Sequence, residues 1–276
     1  EGIGGTAHVD VSATTLDADV SGTGNIIINE ANAVTLSSLT TNNGFITVNA
    51  GGTVTVTSVD SSNTDADAND VTITTTTGDI DITSINAGTL GDVLLDTNAG
   101  TVDGVGGGTH ITSDDLQIDA TTGIGAGVAL NVAGVDLLDT DTTGGNIDIN
   151  NVATSAVTVT SMTTAGTATI AYDQTGNQSL DLDSVTTVDG NITITNLGGT
   201  GADVTIANGA IVADTTNDIV SINAAGAIDD DTANPDTTTD ITAFSIDLDA
   251  LEGIGGTAHV DVSATTLDAD VSGTGN

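Results

Sequence analysis

Asp139-x-Asp141-x-Thr143-Gly144 reads like the opening of a calcium loop, with oxygen-bearing side chains at positions 1, 3 and 5 and glycine at position 6. Calcium is a hard cation that collects six to eight oxygen ligands, so alternate oxygen donors carried round a turn can close on one ion. Position 12 is Asn150 where such loops carry a bidentate glutamate, and the segment runs straight on into an alternating stretch. Asp65-x-Asp67-x-Asn69 has the same spacing without the glycine, flanked by Asp60 and Asp70. Both triplets are expected in long insertions between strands, where a solvated acidic loop is the plainer reading. Asp229-Asp230-Asp231 is a third carboxylate run, expected to be solvated. No cofactor is required by these patterns; calcium or another divalent cation is the one they could recruit.

Catalytic chemistry finds little purchase. A carboxylate pair can cleave a glycosidic bond, and Asp181 with Asp183, or Asp247 with Asp249, would point outward together. Such pairs recur along the whole chain, and the aromatic platforms that sugar-cleaving sites use are nearly absent: Phe45, Phe244 and Tyr172 are the only aromatics. The many Gly-x-Gly strings sit in turn clusters, and no phosphate-binding loop or nucleophile motif appears. His8, His110 and His259 each stand alone beside alternating apolar residues, as surface or rim histidines would. The chain is expected not to be an enzyme.

The elements that would position these residues are repetitive at two scales. Residues 1–25 (EGIGGTAHVDVSATTLDADVSGTGN) recur without change as residues 252–276. The chain is therefore one unit, 1–251, followed by the start of the next, 252–276, and such repetition points to architectures built by stacking. The chain does not open on methionine and carries no signal peptide, as expected of an interior stretch of a longer array. Inside the unit two short motifs return. One is Gly-polar-apolar-x-apolar, as in Gly24-Asn25-Ile26-Ile27-Ile28, Gly145-Asn146-Ile147-Asp148-Ile149 and Gly190-Asn191-Ile192-Thr193-Ile194. The other is apolar-x-apolar-x-Ser-apolar, at 34–39, 54–59, 80–85, 157–162 and 180–185.

Strict alternation over four to six residues, rich in Val, Ile and Thr, is the pattern of a half-buried strand. Clusters such as Thr41-Asn42-Asn43-Gly44 and Thr142-Thr143-Gly144-Gly145 supply the corners. The second motif restarts after 20, 26 and 23 residues, the length of one solenoid coil. The expected fold is all-β: a right-handed parallel β-helix of roughly 10–12 coils, its hand taken from the crossover rule. Ser38, Ser58, Ser84, Ser161 and Ser184 share one motif slot and should stack at an inward corner.

The stretch GNIIINEANAVTLSSLTTNNGFITVNAGGTVTVTSV (24–59) resembles the filamentous-haemagglutinin type of repeat in giant bacterial surface and secreted proteins. The resemblance extends over nearly the whole chain. It implies a right-handed parallel β-helix, secretion, and a part in adhesion or fibre building, and it carries no catalytic residues.

Charge narrows the partners. There are 39 acidic residues and no Lys or Arg. The second copy holds four of them (Glu252, Asp261, Asp268 and Asp270), leaving 35 per unit. Spread over coils rising about 4.8 Å each, that is roughly 0.6–0.7 charges per Å, close to the one per ~1.7 Å of duplex DNA. Nucleic acid is excluded as a partner, because its recognition needs a basic surface. No run approaches the roughly 18 apolar residues of a membrane span. The reading that unites these features is a structural repeat unit of a long extracellular polyanionic fibre or adhesin stalk at the cell surface, its partner being more of the same chain. The alternative is a receptor-binding adhesin region that meets cell-surface receptors or glycans through the inserted loops 60–70 and 229–240. Outward Thr35, Thr55, Thr72 and Thr74 also raise ice binding as a minor alternative, for which the threonines must align in every coil.

Overall fold

The computed structural model describes residues 1–5, 7–231 and 238–275, and every regular element in them is a β-strand. The chain divides into two compact units, Glu1–Val135 and Asp136–Asn276. Each is a β-solenoid: successive coils lay strand on strand in parallel, in two sheets, with about twelve coils in the chain as expected.

In the first unit one sheet stacks Val9–Val11, Ile26–Glu30, Ile46–Ala50, Val71–Thr75, Val93–Thr97 and Asp115–Ala120. The register places like on like. Ile26, Ile46, Val71, Val93 and Leu116 form one column, and Ile28, Val48, Ile73, Leu95 and Ile118 the next. All ten are at most 3% exposed, whereas the residues between them face outward. The alternation in sequence is thus the alternation between core and surface. In the other sheet Val34, Val54, Ile80, Val102 and Ile124 stack, as do Leu39, Val59, Ile85, Ile111 and Val132. The core is aliphatic, and each side chain buried there contributes about 1.5–3 kcal/mol.

The second unit repeats the plan. Leu137–Thr142, Val157–Thr163, Leu180–Leu182, Val204–Ile206, Ala227–Asp230 and Gly253–Ile254 stack in one sheet. Ile147–Val152, Ile170–Thr175, Ile192–Asn196, Ile219–Ala224, Ser245–Ala250 and Thr266–Val271 stack in the other. Tyr172 is the largest fully buried side chain. Its hydroxyl donates to Gln174 Oε1 (2.8 Å) and accepts from Asn151 Nδ2 (3.1 Å), both on residues at most 1% exposed.

Corners follow a rule visible only in the folded chain. A buried threonine bonds its hydroxyl to the carbonyl of the glycine three residues on: Thr41 to Gly44 (2.5 Å), Thr75 to Gly78 (3.0 Å), Thr142 to Gly145 (2.6 Å) and Thr187 to Gly190 (2.6 Å). A carbonyl turned inward at a corner has no ladder partner, and the hydroxyl supplies one. Glycine is needed because the coils are in contact: a Cβ on Gly44 would lie 2.2 Å from the Gly24 carbonyl oxygen.

The serine slot stacks as expected at the backbone, with Leu39 N–H bonding Ser58 O and Val59 N–H bonding Ser84 O (both 3.0 Å). The serine side chains are half-buried, not fully inward. In the next coil His110 takes the slot, since Ile85 N–H bonds its carbonyl (2.7 Å). The expectation of a surface or rim histidine fails there: His110 is 1% exposed. Gly104 leaves room for the ring, a Cβ at that position falling 2.2 Å from Cε1. Burial holds the imidazole pKa below its ordinary value.

Candidate functional site

The repeated 25 residues occupy two different environments. The first copy pairs with the coil after it. Val9, Asp10 and Val11 lie opposite Ile28, Asn29 and Glu30; Thr15 and Leu16 lie opposite Thr35 and Leu36. Side chains clamp the contact. Glu30, 3% exposed, accepts the backbone N–H of Ala13 (2.8 Å) and of Asn32 (3.1 Å). Asn29 donates to Asp10 Oδ1 (3.0 Å), and Asn32 to Ser12 Oγ (3.2 Å).

The second copy pairs with the coil before it. Gly253 and Ile254 lie opposite Ala227 and Ile228, Val262 opposite Ile241, and Thr266–Val271 opposite Ser245–Ala250. Asp240 Oδ2 accepts the Asp261 N–H (2.7 Å), and Asp229 accepts both the N–H and the hydroxyl of Thr257 (3.0 and 2.9 Å). The other edge of this copy stays open. A hollow of about 310 Å³, lined by Leu248, Ile254, Val260, Val262, Leu267 and Ala269, lies there, and Leu267 is 54% exposed. The equivalent Leu16 of the first copy is paired with Leu36, itself fully buried.

Many aspartates act as clips between coils. Asp70 accepts the N–H of Asp92, Asp79 that of Thr101, Asp103 that of Gly127, and Asp203 that of Ala227, at 2.7–3.1 Å and 22–24 residues' separation. Hydrogen bonds to an ionised acceptor are short and about twice as strong as neutral ones. With no Lys or Arg available, backbone N–H groups take the place of cationic partners.

The same use claims one of the sequence candidates. Asp65, with φ 44°, accepts the N–H of Thr89 (2.8 Å), the hydroxyl of Thr89 (2.9 Å) and the N–H of Leu90 (3.1 Å). Those bonds, the Thr89 hydroxyl foremost, hold its pKa below the ordinary value. Asn69 is buried, with its carbonyl accepting from the Ser61 hydroxyl, and Asp67 is exposed. The 60–70 segment folds back on the preceding coil through Asn63 Nδ2 to Thr41 O (3.2 Å) and Thr64 Oγ1 to Asn42 O (2.5 Å). Asp139 and Asp141 do not lie in an insertion: both are inside the strand Leu137–Thr142, half-buried on its outer face, with Thr143 just beyond. Asp141 accepts the hydroxyls of Ser161 (3.0 Å) and Thr163. An acid-x-acid spacing serves a strand as readily as a calcium turn, and here the strand has it. Asp229-Asp230-Asp231 is likewise not simply solvated, for Asp229 caps the Thr257 turn and Asp230 is 5% exposed. Residues 232–237 of the 229–240 loop lie outside the described residues.

Two acidic clusters that sequence spacing missed come together across coils. Asp92, Asp114 and Asp115 form one; Asp189, Asp214 and Asp218 form the other, each with ligand oxygens within 4.8 Å of one another. In the first, Asp92 is already a clip, accepting the N–H of Asp115 (3.3 Å). In the second, Asp218 is 3% exposed; its Oδ1 accepts from Asn217 Nδ2 (3.1 Å) and its Oδ2 has no hydrogen-bond partner. Burial, and then the neighbouring Asp189 charge, hold its pKa above the ordinary value. Asp214-x-Thr216-x-Asp218 has the 1, 3, 5 oxygen spacing and could have been found that way; Asp189, one coil earlier, could not.

Protein families, curated proteins and solved structures contain no match to this chain.

The remaining sequence candidates stay apart. Asp181 and Asp183 border an acidic surface hollow of about 330 Å³ with Thr158, Thr205, Asp230 and Asp231, with no aromatic or cationic side chain in its lining. Outward threonines do not align through every coil: the Thr35–Thr55 column continues as Asp81–Asp103, and Thr47–Thr72 continues as Leu94. Among the described residues no helix is long and apolar enough to cross a membrane.

Proposed function

We propose that this chain is a structural repeat unit of a long extracellular polyanionic fibre or adhesin stalk, of the filamentous-haemagglutinin type, in which coil stacks on coil across unit boundaries. The observation that carries this reading is the two-sided use of one 25-residue sequence. As residues 1–25 it pairs with the coil after it; as residues 252–276 it pairs with the coil before it. Both sets share the extended segment seen as Thr15–Val20 and as Thr266–Val271, so along it one copy inside an array makes both at once. The leucine seen as Leu16 and Leu267 then lies between Ile246 behind and Leu36 ahead. The open hollow against Leu267 is filled by the next unit's Ile26 and Leu36, and an exposed sheet edge, a liability in any β protein, disappears.

The acids fit the same role. A surface with 39 carboxylates and no fixed cation stays hydrated and repels its neighbours, which keeps long assemblies from clumping. Absence of Lys and Arg also removes every trypsin site, which suits life outside the cell.

The test is a chain carrying two full units, 1–251 joined directly to 1–276. Electron micrographs should show each added unit lengthening the particle by roughly 50–60 Å, about eleven coils at ~4.8 Å, without widening it. Amides of the inner copy of the repeated segment should exchange far more slowly than those of the terminal copy. Two separate bodies joined by a pliable link, or equal exchange in both copies, would refute the reading.

A further inference from the structure

We propose that Asp189, Asp214 and Asp218 form a calcium site that ties one coil of the second unit to the next. Their carboxylate oxygens lie within 4.8 Å of one another. Oxygens bound to a single calcium ion at roughly 2.4 Å are at most about 4.8 Å apart, the diameter of the first coordination sphere. The donor set is all carboxylate, with no His or Cys, which selects a hard cation with a flexible coordination number.

Proximity of acids alone would describe a repulsive patch. The distinguishing observation is Asp218, 3% exposed, with Oδ2 buried and lacking a hydrogen-bond partner. A buried carboxylate is normally matched by a cation or by several donors. Asn217 and the Asp214 and Gly190 backbone serve this one, but Oδ2 is left over and the chain has no Lys or Arg to meet it. The position is also held from both sides. The Asp214 and Asp218 carbonyls accept the N–H groups of Phe244 and Ser245 in the following coil (both 3.1 Å). The N–H of Ile219 bonds Asn191 Oδ1 in the preceding one (2.9 Å). Thr216 Oγ1 donates to Asp214 Oδ1 (3.2 Å), which orients that carboxylate. The three acids are therefore presented by a braced turn and by the coil beneath it. Asp214 is half-buried and Asp189 exposed, leaving one side of the ion for water. The Asp92, Asp114 and Asp115 cluster differs in having no fully buried member.

The site is independent of the fibre reading and is tested on the full chain with calcium alone. Calcium is titrated by calorimetry in 0.15 M sodium chloride, where loosely held counterions are screened, and melting is followed with and without it. One saturable site is expected. Asp218→Asn should weaken it at least tenfold, Asp189→Asn should weaken it too, and Asp92→Asn should leave it unchanged. Melting supplies a second readout with a change of sign. Without calcium, Asp218→Asn relieves a buried charge and should melt at or above the parent; with calcium the parent should melt higher. No saturable site, affinity unchanged by Asp218→Asn, or the same melting order in both conditions would overturn the proposal.

Discussion

Raising the salt concentration should stabilise this protein, and the size of the effect is set by the register of its aspartates. Parallel pairing puts Asp81 opposite Asp103, Asp96 opposite Asp119, Asp247 opposite Asp268 and Asp249 opposite Asp270. Neighbouring strands lie about 4.8 Å apart, so each pair holds two like charges roughly 5 Å from one another. In a water-like dielectric this costs about 0.8 kcal/mol per pair. Screening over a Debye length of ~30 Å at 0.01 M leaves about 0.7 kcal/mol of it, whereas ~3 Å at 1 M leaves less than about 0.2 kcal/mol. Four pairs therefore recover about 2 kcal/mol between these conditions, and the diffuse repulsion among the other acids adds with the same sign. For chains of this size that is a rise in Tm of roughly 4–8 °C. The assay is thermal melting by circular dichroism in sodium chloride from 0.01 to 1 M, with a chelator present so that divalent cations play no part. Asp81→Asn supplies the internal control. It removes one pair and a charge that burial disfavours, so it should melt above the parent at low salt, with a gap that narrows as salt rises. A Tm that is flat or falls with salt would refute the reasoning, and so would an Asp81→Asn gap that does not shrink.

Protonation of the buried carboxylates should act in the same direction. Burial first, and neighbouring aspartates second where they contribute, raise the pKa of Asp81, Asp148, Asp218 and Asp247 above the ordinary value, and burial raises that of Asp92. A raised folded pKa means the folded chain holds those protons more tightly than the unfolded one. The stability they confer is complete below the unfolded value of about 3.9 and is lost as pH rises through the folded values. Asp65, whose pKa is lowered, works the other way, and so does His110, because burial disfavours the imidazolium that the unfolded chain takes up as pH falls through about 6.5. Without calcium, Asp148→Asn should raise Tm at pH 8 and raise it less at pH 4, where the parent carboxyl increasingly holds its own proton; an equal gain at both would contradict the assignment. Tyr172→Phe keeps the ring but strips Asn151 Nδ2 and Gln174 Oε1 of their buried partner. Each unsatisfied group costs about 1–3 kcal/mol, so the loss should be about 2 kcal/mol or more, read as a lower denaturant midpoint with unchanged slope. An unchanged midpoint would mean that this network does not form.

The alternation of apolar and polar residues, the glycine-rich corners and the 20–26-residue recurrence determine a parallel β-solenoid without reference to any contact. The reason is local. A strand's side-chain period is two, and a coil that must stack on its copy demands the same apolar residue at the same slot, as in the Ile26–Ile46–Val71 column. The whole-unit repeat is equally plain in the letters. Which acids do what was decided only by the tertiary structure. Coil lengths vary, so the residue one coil away lies anywhere from about 19 positions off (Val9 and Ile28) to about 30 (Ile211 and Ile241), and no local pattern says which carboxylate meets which N–H. Asp65 and Asp229 thereby become clips, although their own neighbourhoods read as ligand or solvated runs. Asp139 and Asp141 share a spacing common to strands and calcium turns, and only the pairing with the following coil settles it as a strand. His110 is buried because Gly104 leaves space beside it, a fact held by two residues whose relation the sequence does not mark. Asp189 joins Asp214 and Asp218 for the same reason: a coil closes in three dimensions, and charges 25 and 29 residues apart become neighbours.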